Sequence, residues 1–211
     1  MIFVTGTGTE VGKTVVAAAI ARTVASSGRR VAVFKPCVTG LEEEVEPDHE
    51  LLRRAAGSDQ SDEEVAPYRY RPPASPHLAA AMAGEEIDPE RLLAGAAAKG
   101  ADFLVCEGVG GLLVPLSPRY LVRDLAVALG YPLVIAASPG LGTINHTLLT
   151  IESARAAGLE VASVVLNPWP EEPSGIERSN RETIASLGEV EVRVLPHLDL
   201  NDPSSWPTLE P

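Results

Sequence analysis

The chain has 211 residues, 45% apolar and 22% charged, which is enough for one buried core and ordinary for a globular protein. Its net charge of −12 argues against nucleic-acid or anionic-membrane binding through bulk electrostatics. Two cysteines, Cys37 and Cys106, are too few for a disulfide framework, and no uninterrupted apolar stretch reaches the roughly 18 residues of a membrane span.

Residues 2–5, Ile-Phe-Val-Thr, read as a short buried strand. An alanine-rich helix is expected over 13–27, closed by Gly28. Between them runs Gly6-Thr-Gly-Thr-Glu-Val-Gly12-Lys13-Thr14. Strand, glycine-rich turn, Gly-Lys-Thr and helix together make a phosphate-binding loop. Glycines let backbone N–H groups close around phosphate oxygens, and the helix N-terminus adds a positive dipole end. Lys13 is placed to reach the β and γ phosphates, and Thr14 to offer a hydroxyl to Mg²⁺. Five residues separate Gly6 from Gly12, one more than the general motif has. A glycine-rich surface turn is the competing reading. The loop and Lys13 occupy the place an apolar leader core would need, so a cytoplasmic protein is expected.

Val31–Phe34 is a second buried strand, ended by Lys35-Pro36. The chain has three lysines against fourteen arginines, and Lys13 and Lys35 both lie at strand ends. That suggests lysine is kept where a compact ammonium matters. Glu42, Glu43, Glu44 and Glu46 form an acidic, solvated loop before a helix from about Pro47 to Ala56, stopped by Gly57. Asp48 opens that helix, where a carboxylate suits the dipole without any ligand. Residues 58–74 read as an irregular excursion. Ser75-Pro76 caps a helix to about Ala83, and Asp88-Pro89 starts one to Lys99.

Phe103–Cys106 is a strand followed by Glu107 and a flexible turn, Gly108–Gly111. Glu107 stands where a carboxylate can hold a hard divalent cation, with a capping or solvated carboxylate the competing reading. Helices are expected over 119–129, 143–157 and 175–187, and strands over 133–137, 161–166 and 191–195. The proline-rich end, 201–211, is expected to be poorly packed. Cys106 reads as a core residue, with Cys37 a weak candidate for a reactive thiol. The whole, 1–211, reads as one α/β domain of P-loop NTPase type. It should have a mainly parallel central sheet of about six to seven strands with helices on both faces. Ligands of such sheets sit beyond the carboxyl ends of the strands.

Five segments resemble the dethiobiotin synthetase family: Val4–Thr14 with its long loop, Lys35-Pro-x-x-Thr39-Gly40, Ser75-Pro-His77, Cys106-Glu-Gly-x-Gly-Gly111 and Leu141-Gly-Thr-Ile-Asn-His146. Beyond 146 the likeness is looser. The resemblance implies ATP-dependent closure of a ureido ring on 7,8-diaminononanoate with CO₂ (from bicarbonate), in biotin biosynthesis. It makes Lys35 and Lys13 catalytic and gives Mg²⁺ to Thr14, Asp48 and Glu107. It lines ATP with Glu10, Val11, Gly12, Lys13, Thr14, Val15, Asp48, Glu107, Gly108, Val109 and Gly110, and its base with Asn167, Pro168, Pro196, His197 and Leu198. Substrate falls to Thr9, Thr39, Gly110, Gly111, Leu141, Gly142, Ile144 and Asn145, with Leu141–Asn145 crossing a homodimer; an N-cap turn is the competing reading, which accounts for Thr143 and Asn145 without a ligand. His77 and His146 read as structural, and Trp169 as a cover for the base or an anchor for a proline loop. Two other classes compete. A dimeric ATPase switch usually carries a further lysine near the loop's start, where this chain has Thr7 and Gly8. A cobyrinate-type amidoligase needs a glutaminase domain for which the chain has no room.

Overall fold

The computed structural model describes residues 1–41, 47–96 and 100–211. The expected acidic loop at Glu42, Glu43, Glu44 and Glu46, and the expected helix end at Lys99, lie outside the described residues. The strands are β1 (Ile2–Gly6), β2 (Val31–Phe34), β3 (Phe103–Gly111), β4 (Pro115–Ser117), β5 (Tyr120–Leu121), β6 (Leu133–Ala137), β7 (Val161–Trp169) and β8 (Glu191–Pro196). The helices are α1 (Lys13–Ser26), α2 (Asp48–Ala56), α3 (Asp62–Val65), α4 (Pro76–Met82), α5 (Pro89–Gly95), α6 (Val122–Leu129), α7 (Thr143–Ala156) and α8 (Gly175–Gly188).

Six strands form one sheet in the order β2-β3-β1-β6-β7-β8, every pair parallel. The chain leaves β1 toward β2 and β3 on one side and later returns to β6 on the other. The carboxyl end of β1 therefore sits at the crevice where ligands bind in such sheets. Side chains alternate across the sheet with a period of two. Ile2, Val4, Val31, Val33, Phe103 and Val105 face α1 and α2. Phe3, Ala32, Phe34, Leu104 and Cys106 face the layer of α4, α5 and α6. On the same side, Ile135, Val164 and Leu166 meet Ile151 of α7 and Ile184 of α8.

Four local expectations are corrected. Gly108–Gly111 is not a free turn: β3 runs through it to Gly111, with a register shift where Gly6 pairs Gly111. Gly108 is there for close packing, since a Cβ would lie 3.0 Å from Val122 Cγ1 and 3.1 Å from Phe3 Cε1. The excursion at 58–74 contains α3, whose Ser61 and Glu64 form a reciprocal capping box. The helix expected from 119 starts at Val122, because residues 115–121 first form the β4–β5 hairpin. The fourth concerns the tail, which is well packed. Trp206 is 9% exposed and Leu209 5% exposed, both in the core against α1. The Leu209 N–H donates to Thr23 Oγ1 at 2.9 Å, and Trp206 Nε1 donates to the Asp199 carbonyl at 2.7 Å. Prolines stop regular structure but leave apolar side chains free to cover the outer face of α1. Leu209→Ala should therefore cost about 2 kcal/mol and lower Tm by roughly 4–8 °C in a thermal melt. An unchanged Tm would mean that the tail adds nothing to stability.

Candidate active site

The loop leaves β1 at Gly6, and Thr7 N–H donates to the Ala136 carbonyl at 3.0 Å. A Cβ on Gly6 would lie 2.7 Å from Val11 Cγ2 and 2.8 Å from Lys13 Cγ, so the loop folds back tightly on its own start. Two left-handed residues, Glu10 (φ 58°) and Gly12 (φ 76°), carry the chain around its extra length. For Glu10 that backbone is strained, which is common where a loop is shaped for function. Lys13 is buried and its Nζ donates to the Gly8 carbonyl at 2.7 Å. Thr9 and Glu10 are exposed, while Val11, Thr14 and Val15 are half-buried.

Register brings the next residues together. Val33 pairs Val105 and Phe34 pairs Cys106, so Lys35 and Glu107 are the next step along the same pair of strands. The period of two sends both to the α1 face, where the N-termini of α1 and α2 lie. Lys35, 3% exposed, donates to Glu107 Oε1 at 2.7 Å and to Asp48 Oδ2. Thr14 Oγ1 donates to the same Glu107 Oε1 at 2.9 Å. One strand, the next strand and two helix starts thus deliver an ammonium, two carboxylates and a hydroxyl to one point.

Burial disfavours the Lys35 ammonium, yet Glu107 and Asp48 outweigh it and hold its pKa above the ordinary lysine range. Burial pushes the Glu107 carboxyl up despite Lys35. The two partners move in the same sense for opposite reasons: Lys35 follows its neighbours and Glu107 its burial. Burial also raises Asp48, but Lys35 overcomes it and holds that carboxyl below its usual range. Lys13 is lowered, chiefly by burial, with Lys35 adding to the effect and Glu107 opposing it. Cys37 is fully buried and burial raises its thiol to about 12, so it is no nucleophile.

The oxygens of Thr14, Asp48 and Glu107 are hard donors, and Glu107 Oε2 is buried with no hydrogen-bond partner among the described residues. Such a set fits Mg²⁺, which takes one or two carboxylates and keeps several waters.

Other expected residues are placed less uniformly. Thr39 is half-buried beside Gly40, whose N–H donates to the Pro72 carbonyl at 3.1 Å. Val109, Gly110 and Gly111 are half-buried along the end of β3, and a Cβ on Gly111 would sit 3.4 Å from the Gly6 carbonyl. Asn167 is buried and reaches the loop: its Nδ2 donates to the Val11 carbonyl at 3.0 Å. Pro168, Pro196 and His197 are exposed, whereas Leu198 is core under α1 and α2. Trp169 packs against the α7–α8 core and pairs Pro196, which favours the anchor reading. His77 Nδ1 lies 3.0 Å from Ser75 Oγ, a local pairing. Leu141 is 97% exposed, and Gly142 and Asn145 are exposed, while Ile144 is half-buried.

Asn180 was not foreseen. Its Nδ2 donates to the Pro139 and Gly140 carbonyls at 2.8 and 3.1 Å, fixing the turn that presents Leu141. A polar residue four before buried Ile184, on the inward stripe of α8, was the available signal. A cavity of about 920 Å³ at residues 28–32, Gln60 and Arg91 lies at the amino end of β2, remote from this chemistry.

Sheet order, glycine loop and the Thr14–Lys35–Glu107 cluster define the class: a P-loop nucleotide-binding α/β protein. Solved structures share the fold. The MinC:MinD cell division protein complex of Aquifex aeolicus matches with TM-score 0.59 at 16% identity, covering 93% of this chain and 81% of that one. A ParA family ATPase from Chlorobium tepidum gives 0.57 at 12% identity, covering 96% and 88%. A family described as an AAA domain matches residues 1–208, taking in most of the region after 146 where the resemblance is looser.

Curated relatives are more specific. The chain is 41% identical over 194 residues to the ATP-dependent dethiobiotin synthetase BioD of Rhodococcus erythropolis, covering 90% of this chain and 85% of the relative. It is 36% identical over 188 residues to that of Bacillus subtilis, covering 88% and 81%. The chain belongs to the ATP-dependent dethiobiotin synthetase family.

Proposed function

We propose that this protein carboxylates 7,8-diaminononanoate with CO₂ and closes the ureido ring of dethiobiotin, converting ATP to ADP and phosphate. The carrying observation is the buried Lys35 ammonium, held between Glu107 and Asp48 beside the Lys13–Thr14 loop. One substrate amine adds to CO₂ and loses a proton, giving a carbamate. A carbamate oxygen attacks the γ-phosphorus of ATP, ADP leaves, and a carbamic–phosphoric anhydride forms. The second amine attacks its carbonyl carbon, phosphate departs with the C–O bond electrons, and the amine proton is released. The carbamate is itself the nucleophile, so the protein has to position two anions and neutralise their charge.

Lys35 steadies the carbamate, and Lys13 the phosphates. Thr14, Asp48 and Glu107 would hold Mg²⁺, which when bound would supply further positive charge beside the phosphates. Thr9, Thr39 and the Gly110–Gly111 segment face the diamine. The loop of Glu10, Val11, Gly12 and Val15, with Gly108 and Val109, lines the nucleotide, and Asn167, Pro168, Pro196, His197 and Leu198 lie toward its base. We place Leu141, Gly142, Ile144 and Asn145 across a homodimer, where the α7 N-terminus meets the substrate carboxylate. The free Leu141 tip supports this. We read the protein as cytoplasmic; separately, among the described residues no helix is long and apolar enough to cross a membrane.

Phosphate release from Mg·ATP, with and without the diamine and bicarbonate, tests the reaction. Release is expected only with both. Steady release that ignores the diamine would instead support an ATPase switch, the class whose fold the chain shares.

A further inference from the structure

We propose that Asn167 is a positioning residue that fixes the phosphate loop itself, independently of any contact with a base. The proposal rests on the reading that this loop holds the triphosphate of ATP.

Asn167 lies 156 residues from the loop, two strands away from β1. Val165 of β7 faces the α1 layer and Leu166 the opposite one, so Asn167 returns to the α1 face. Asn167 is buried, at 3% exposure. Nδ2 donates to the Val11 carbonyl at 3.0 Å. The carboxamide oxygen stands so near Gly12 that a Cβ there would fall 2.1 Å from it. The carboxamide is thus wedged against the Val11–Gly12 peptide.

That peptide needs holding. In a planar trans peptide the C=O and the following N–H point in opposite directions. A donor on the Val11 carbonyl therefore turns the Gly12 N–H away from Asn167. Backbone N–H groups are what such loops offer to phosphate. Glycine populates positive and negative φ with similar ease, so Gly12, at φ 76°, can let the peptide flip. A flipped peptide would present a carbonyl oxygen where an N–H belongs, and repel an anion. Asn167 selects the orientation that binds, and its own oxygen forbids any side chain at position 12. A residue that only reads a base has no need of this contact.

Calorimetry with Mg²⁺ and two probes, ATP and inorganic tripolyphosphate, separates the roles. Tripolyphosphate has no base. Asn167→Ala should weaken tripolyphosphate by about tenfold, the scale of one lost hydrogen bond that organises a site, and ATP by at least as much. Asn167→Asp, which sets an acceptor against the Val11 carbonyl, should weaken both further. If Asn167→Ala does not fold, Asn167→Ser carries the same comparison. Weakened ATP with unchanged tripolyphosphate would make Asn167 a base reader and overturn the proposal, as would wild-type protein that binds ATP and not tripolyphosphate. Wild-type protein that binds neither would overturn the nucleotide reading beneath it.

Discussion

Lys35→Gln should lower kcat by about 100-fold or more, the scale of losing one preorganised charge stabiliser, and leave ATP affinity largely intact. Glutamine keeps a polar, hydrogen-bonding head on a slightly shorter stem and removes the charge. The loop, Lys13 and Thr14 are untouched, so the phosphates should still be held. What is lost, on the proposed mechanism, is the cation that would meet the carbamate as it approaches the γ-phosphoryl group. Lys35 is suited to that task because it is buried, always charged and fixed by two carboxylates, so little reorganisation is needed as the reaction proceeds. Steady-state kinetics with ATP and diamine varied separately, beside ADP binding, would check it. A kcat near wild type would remove Lys35 from the chemistry. A parallel loss of ADP binding would show that it serves the loop instead.

Glu107→Gln is the second large effect. Glu107 Oε1 receives both Thr14 and Lys35, and Oε2 lies buried with no partner among the described residues. An amide of the same shape loses one negative charge between two lysines and weakens the donor set offered to Mg²⁺. Turnover should fall by roughly 100- to 1000-fold at limiting Mg²⁺, and recover in part as Mg²⁺ is raised. The half-saturating Mg²⁺ concentration in a turnover titration is the readout. An unchanged Mg²⁺ dependence would leave Glu107 as a counter-ion of Lys35 only. The wild-type protein should lose turnover when EDTA is added and regain it with excess Mg²⁺.

Much of this site was legible in advance because its parts are local. A Gly-Lys-Thr after an apolar run needs no tertiary knowledge to read as a phosphate loop. Lys35 and Glu107 each follow a buried strand, and the carboxyl edge of a parallel sheet is where ligands gather. Asp48 was ambiguous, since a carboxylate at a helix start is stabilised by the dipole alone. The family resemblance assigned it to Mg²⁺ all the same, and the Lys35 contact brings it into one cluster with Glu107. Gly108–Gly111 misled because four residues with three glycines look like a turn, whereas there the missing side chain of Gly108 lets β3 pass Phe3 and Val122. The tail misled because proline spacing reports on regular structure and says nothing about burial.

The sequence by itself determined the order of the elements, the loop, the inward period of each strand and the family resemblance. These are set by neighbours in the chain, through backbone sterics and side-chain periodicity. Tertiary structure decided what depends on which strand lies beside which. The offset that pairs Val33 with Val105 places Lys35 against Glu107. The insertion of β1 between β3 and β6 opens the crevice around the loop. The side of β7 on which Asn167 falls lets it grip Val11. Strand pairing and register are won by burying apolar faces that are far apart in the chain, and no local pattern carries that choice.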